Sequence, residues 1–127
     1  MGSEMCIRDR LGEQSHGEAT AYETKIKLIE YLHQELGFDL LLFESGFYDC
    51  HKAWELIASG EDVRSSMGRS IFSIWLTMKD LKPLSVYIDS HKNSENPLKL
   101  LGFDSQITGK VSQAYLVDDL TLSLIHI

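Results

Sequence analysis

The stretch FDLLLFE, residues 38–44, decides how this chain is read. Five of its seven residues are apolar, and they do not alternate with polar ones. Gly37 stands directly before it, and SGFYD follows it. A short apolar run bounded in this way predicts a strand buried on both faces, as strands of a parallel sheet are. Upstream, Tyr22, Ile26, Ile29, Leu32 and Leu36 recur every three or four residues. That is the spacing of one buried face on a helix over about residues 18–36. Gly37 then occupies the place of a helix C-terminal glycine.

Working outward, Phe47, Trp54 and Ile57 fit a second helix ending near Gly60. A third helical stretch is expected from about residue 70 to residue 82. Pro83 can open the next helix in its first turn, giving LSVYIDSHK. NSENP reads as a polar turn. LKLLGFD, residues 98–104, is the second buried-strand candidate, and residues 110–120 start another helix. On the other side, LGE, residues 11–13, leads straight into the first helix and reads as the last residues of a strand. Strand, helix, strand, helices, strand, helix is the order of an α/β fold, here a partial parallel sheet with flanking helices. No internal repeat or low-complexity linker interrupts it.

Both ends of the chain carry a different signal. The peptide MCIRDR back-translates as ATG TGT ATA AGA GAC AG, and the final LSLIHI as CTG TCT CTT ATA CAC ATC. These strings are reverse complements over nearly their whole length. They resemble the mosaic-end adapter of a transposon-based sequencing library read inward from both sides. Residues 1–10 and 122–127 are therefore expected to be adapter-derived and are set aside in fold reasoning. Residues 11–121 are expected to be the native part, a fragment of a larger domain.

The chain has 127 residues, enough for one domain. With 43% hydrophobic and 24% charged residues it is globular in type. Its net charge is −7, and the adapter residues Glu4, Arg8, Asp9 and Arg10 cancel one another. Such a chain has no electrostatic case for nucleic acid or for an anionic membrane. No apolar run approaches the roughly 20 residues a membrane span needs. Cys50 is the only cysteine outside the adapter residues, which suggests a reducing compartment and a cytoplasmic location.

In open α/β sheets, ligands bind beyond the carboxyl ends of the strands. Glu13, Glu44 and Asp104 all fall there. His16 lies on the turn from the first strand into the first helix, where Ser15 or His16 is placed to cap it, and Gly17 keeps the backbone open beside it. If adjacent strands carry Glu13 and Glu44, both carboxylates approach the imidazole. A histidine so held can act as a general base toward water. Each residue also has a plainer use. A histidine in such a turn can be a cap, a glutamate closing a strand can be its first solvated position, and Asp104 can cap its own turn. His33, His51 and His91 have no partners at ligand spacing and are expected on the surface. There is no zinc spacing, no G-x-S-x-G elbow and no phosphate-binding glycine loop, MGRS and ITGK being too short. No metal and no cofactor is expected.

LGEQSHG, then FDLLLFE, then LLGFDSQ, in this order, closely resembles the erythromycin esterase family. The resemblance covers residues 11–120. It implies a truncated form of that family's α/β fold and hydrolysis of a small-molecule ester, in some members the macrolactone of an antibiotic. Carried over by position, the catalytic group is Glu13, His16 and Glu44. His16 matches the base that activates water, and the two glutamates orient and polarise it. The family also relies on a second histidine and an arginine far downstream, so the fragment by itself is expected to be inactive. Two other readings remain. The same carboxylates and histidine can ligate a metal or haem on a related fold. The domain can also be a non-catalytic interaction module.

Overall fold

The computed structural model describes residues 11, 19–72, 81–107 and 109–125. Among them run α1 (Ala19–Leu36), β1 (Leu40–Gly46), α2 (Phe47–Ala58), α3 (Val63–Ser70), α4 (Leu81–His91), β2 (Lys99–Asp104) and α5 (Lys110–Ile125). The two strands are adjacent and parallel, with Leu40 opposite Lys99, Leu41 opposite Leu100 and Phe43 opposite Gly102. The protein is thus α/β, with a small parallel sheet and helices packed on it. LGE, the third strand expected from the sequence, lies outside the described residues.

Helix α1 ends as its sequence predicts. Gly37 takes a φ of 73°, in the left-handed region, and the Phe38 N–H donates to the Leu32 carbonyl at 3.1 Å. Tyr22 and Ile26 are buried in the core, but Leu36, in the last turn, is exposed. In α2, Cys50, Ala53 and Ile57 recur at helical spacing and are all fully buried. They form one face of a core completed by Val63 and Met67 of α3, Leu84 and Ile88 of α4, and Leu100 of β2. Truncating one of these large side chains to alanine typically costs about 2–5 kcal/mol. Phe47, expected on this face, is instead exposed in the first turn of α2.

The helix expected over residues 70–82 falls mostly outside the described residues, and a helix not expected from the sequence comes before it. Helix α3 occupies Val63–Ser70, and residues 73–80 are outside the described part. Its sequence, VRSSMGRS, is too polar for apolar periodicity to show it. Two other features specify it. Asp62 caps it by accepting the Ser65 N–H at 2.7 Å. Ser66 and Ser70 are small enough to be buried, with the Ser70 hydroxyl donating to the Ser66 carbonyl at 2.9 Å. Pro83 does fall in the first turn of α4.

The expectation of a strand buried on both faces is corrected. Leu41 and Phe43 pack against the core, but Leu40 and Leu42 are 42% and 51% exposed. In parallel pairing, aligned residues share a face. Leu40, Leu42, Lys99, Leu101 and Phe103 therefore make one side of the sheet, and no described helix covers it. Among the described residues, no helix is long and apolar enough to cross a membrane.

His33 is also corrected. It is only 4% exposed, because its partners come from far along the chain. Its Nε2 lies 2.8 Å from the Asn96 carbonyl, and its Nδ1 lies 2.7 Å from the Tyr87 hydroxyl. A carbonyl only accepts, so Nε2 carries the proton, and in the neutral ring Nδ1 accepts from Tyr87. This buried pair joins α1 to α4 and to the turn before β2. His91 is half-buried beside it, while His51 is on the surface as expected.

Candidate active site at the carboxyl ends of the strands

The pairing of β1 with β2 is regular until Phe43. There it shifts, and Gly46 next pairs with Asp104. Two residues of β1, Glu44 and Ser45, therefore face the single residue Phe103. This is a β-bulge, which bends a strand and re-aims side chains, commonly beside active sites. Glu44 continues the exposed side of β1 after Leu40 and Leu42, and in the bulge Ser45 and Gly46 are both buried.

The bulge is accommodated by the neighbouring strand. A Cβ at Gly102 would overlap the backbone carbonyl oxygens of Ser45 and Gly46. Glycine is needed there for space rather than for its backbone angles. The Ser45 hydroxyl oxygen accepts the N–H of Phe72 at 3.0 Å, so the bulge also anchors the chain beyond α3.

Asp104 ends β2 at the same carboxyl edge of the sheet. Its Oδ1 accepts the Gln106 N–H at 2.9 Å, which makes it the cap of its own turn, the plainer of its two expected uses. The turn borders a groove of about 380 Å³ whose walls include Phe47, Tyr48, Phe103 and Ile107. The groove thus combines exposed apolar side chains with the acidic end of β2.

Behind the groove, α2 and α5 are clamped by charge. Tyr48 donates its hydroxyl proton to Asp119 Oδ2 at 2.6 Å, and Lys52 Nζ lies 2.8 Å from the same oxygen. Burial pushes the Tyr48 phenol well above its ordinary range, and the Asp119 bond adds to this. The hydrogen bond from Lys52 holds the Asp119 carboxyl below its ordinary range, with Tyr48 contributing next. That bond to Asp119 likewise raises Lys52. Burial, followed by the charge of Asp49, pushes the Cys50 thiol up to about 12, which leaves it protonated and inert at neutral pH.

One site residue was not visible in the sequence. Asp49, in the first turn of α2, is completely buried. Its Oδ1 accepts the Ser112 N–H, at the start of α5, at 2.7 Å. The signal for it was slight: an aspartate just after a strand and a glycine, Gly109, where a helix normally has its own capping side chain. Of the three residues expected to act on substrate, the structure places Glu44 on the strand end as expected. Glu13 and His16 lie outside the described residues. Among the described residues, no group of three or more His, Cys, Asp or Glu side chains could hold a metal ion.

The chain is 41% identical over 97 residues to the protein of Bacillus subtilis (strain 168) named "Putative hydrolase YbfO". The match covers 76% of this chain, which spans 21% of that relative's length. No family model matches the chain, and no solved structure matches it.

Proposed function

We propose that this chain is part of a hydrolase in which His16 activates a water molecule to attack a carboxylic ester or macrolactone. Glu13 and Glu44 hold and polarise the imidazole. The observation that carries the reading is the position of Glu44. It sits in a β-bulge at the carboxyl end of a parallel strand, where α/β sheets bind their ligands. The identity to a relative named as a hydrolase points the same way. So does the resemblance of LGEQSHG, FDLLLFE and LLGFDSQ to the erythromycin esterases.

In the proposed reaction, the neutral imidazole of His16 takes a proton from water as the oxygen adds to the ester carbonyl. The adjacent carboxylates stabilise the imidazolium that forms. Collapse of the tetrahedral intermediate breaks the bond to the alkoxide oxygen, and that oxygen recovers the proton from His16. The products are a carboxylic acid and an alcohol. The developing oxyanion needs preorganised donors or positive charge, and loss of one such donor typically costs about 10²–10³ in rate. The resemblance to the erythromycin esterases implies that a second histidine and an arginine from further along that family's chain supply them, so these 127 residues alone are expected to hydrolyse nothing at an enzymatic rate.

The test is hydrolysis of a panel of activated esters and macrolactones by the full-length parent. Replacing His16 with alanine should lower kcat by about 10²–10⁴, the usual contribution of a general base. Undiminished turnover in that variant would remove His16 from the reaction.

A further inference from the structure

The carboxylate of Asp49 is set in an unusual way. It is completely buried, and among the described residues its Oδ2 has no hydrogen-bond partner. Buried polar atoms are nearly always paired, so a native exception calls for a cause. An ordinary helix cap does not supply one. Helix α5 would be capped more simply by a serine or asparagine at the position of Gly109, directly before its first residue. The chain has glycine there, and a Cβ at Gly109 would overlap the Asp49 carboxylate. The cap arrives instead from α2, 63 residues away.

The other oxygen faces the other turn. A Cβ on Gly46 would lie 2.8 Å from Asp49 Oδ2 and 2.7 Å from the Gln106 carbonyl oxygen. The carboxylate is therefore wedged between Gly46, which closes the Glu44–Ser45 bulge, and Gly109, which closes the turn begun by Asp104. Both glycines leave it room. One side chain thus touches both strand-to-helix turns at the carboxyl edge of the sheet.

We propose that Asp49 is a positioning residue that locks the turn after β1 to the turn after β2, and so fixes Glu44 relative to Asp104 and the groove. Its catalytic consequence rests on the hydrolase reading above, but the lock itself does not. Misplacing reacting groups by about 1 Å can cost about 10² in rate, so a lock of this kind acts through geometry and not through contact with substrate.

Two measurements test it. In residue-resolved amide hydrogen exchange on the full chain, Asp49→Ala should lose protection together at residues 44–46 and 104–112, while α4 keeps its own. Asp49→Asn, which retains an acceptor for the Ser112 N–H, should restore most of it. Asp49→Ser, polar but too short to span both turns, serves if the alanine variant does not fold, and should open both turns as well. Ile88→Val, a core change away from the turns, should not open them selectively. Loss confined to Ser112 and the first turn of α5 would make Asp49 a cap only and overturn the proposal.

In the full-length parent, Asp49→Ala or Asp49→Ser should lower kcat by about 10² with KM less affected, and Asp49→Asn should recover most of kcat. A folded alanine or serine variant with wild-type kcat would equally overturn the proposed role. Should the wild-type parent hydrolyse no ester, the hydrolase reading fails, and the exchange data still decide whether Asp49 couples the turns.

Discussion

The two faces of the β1–β2 sheet contain similar residues and meet opposite fates. On one, Leu41, Phe43 and Leu100 are packed with α2 and the core. On the other, Leu40, Leu42 and Phe103 stand 42%, 51% and 63% exposed. Leucine lies on both sides, so residue type does not decide burial here. What decides it is whether a helix covers the face, and α2 lies on only one of them among the described elements. Glu44 continues the open side, and in the bulge Ser45 and Gly46 are both buried.

This contrast predicts a graded series in denaturant unfolding. The largest loss is expected for Gly102→Ala, since its Cβ would collide with backbone and not with a movable side chain end. Overpacking that movable side chains can absorb costs about 1–3 kcal/mol; here two backbone carbonyls are struck, so the loss should exceed that of Leu100→Ala. Leu100→Ala, on the covered face, should cost about 2–5 kcal/mol. If Gly102→Ala proved milder than Leu100→Ala, the bulge would be looser than described. Leu42→Ala, on the open face, should stay within about 0.5 kcal/mol. A large loss at Leu42 would mean that this face is covered in solution. Removal of residues 122–127 belongs at the same small end, because Leu122, Leu124 and Ile125 are all exposed.

A smaller effect separates the charged clamp from the apolar core. Asp119 has a depressed pKa in the folded chain, so its contribution is present above its unfolded pKa and fades as pH falls through the folded value. Lys52 has a raised pKa, so its contribution persists below its unfolded value and is lost as pH rises through the folded one. The clamp is therefore intact around neutral pH. Asp119→Asn should cost less than about 1 kcal/mol there, as partly exposed ion pairs do. The cost should shrink further in strong acid. A pH-independent cost would show that Asp119 acts through packing alone.

Much of the fold could be read from periodicity, and the failures share a cause. Tyr22, Ile26, Ile57 and Leu100 announced themselves because apolar spacing reports burial when a neighbour is present. Leu36, Leu40 and Phe47 are exposed against their apolar spacing, because spacing cannot reveal a missing neighbour. The strand expected over residues 38–44 runs in fact over Leu40–Gly46, since pairing resumes beyond the bulge. Helix α3 escaped because buried serines carry no hydrophobic signal. His33 reads as a surface residue in the sequence because Tyr87 and Asn96 are 54 and 63 positions away. Of the candidate site, Glu44 and the turn-capping role of Asp104 were legible as strand-end carboxylates. Asp49 was not, because its meaning depends on Gly46 and Gly109 meeting it in space.

Glu44, on the open side of the strand end, is proposed to serve chemistry and not merely to solvate the end of β1. The most direct measurement is kcat for ester hydrolysis by the full-length parent carrying Glu44→Gln, together with its pH profile. Glutamine keeps the size of the side chain and removes the negative charge that would support the His16 imidazolium. A fall in kcat of about 10² is expected, smaller than that of His16→Ala, with the acidic limb of the profile displaced to lower pH because loss of the charge favours the neutral imidazole. An unchanged kcat and an unchanged profile would contradict it and return Glu44 to the role of a solvated strand end.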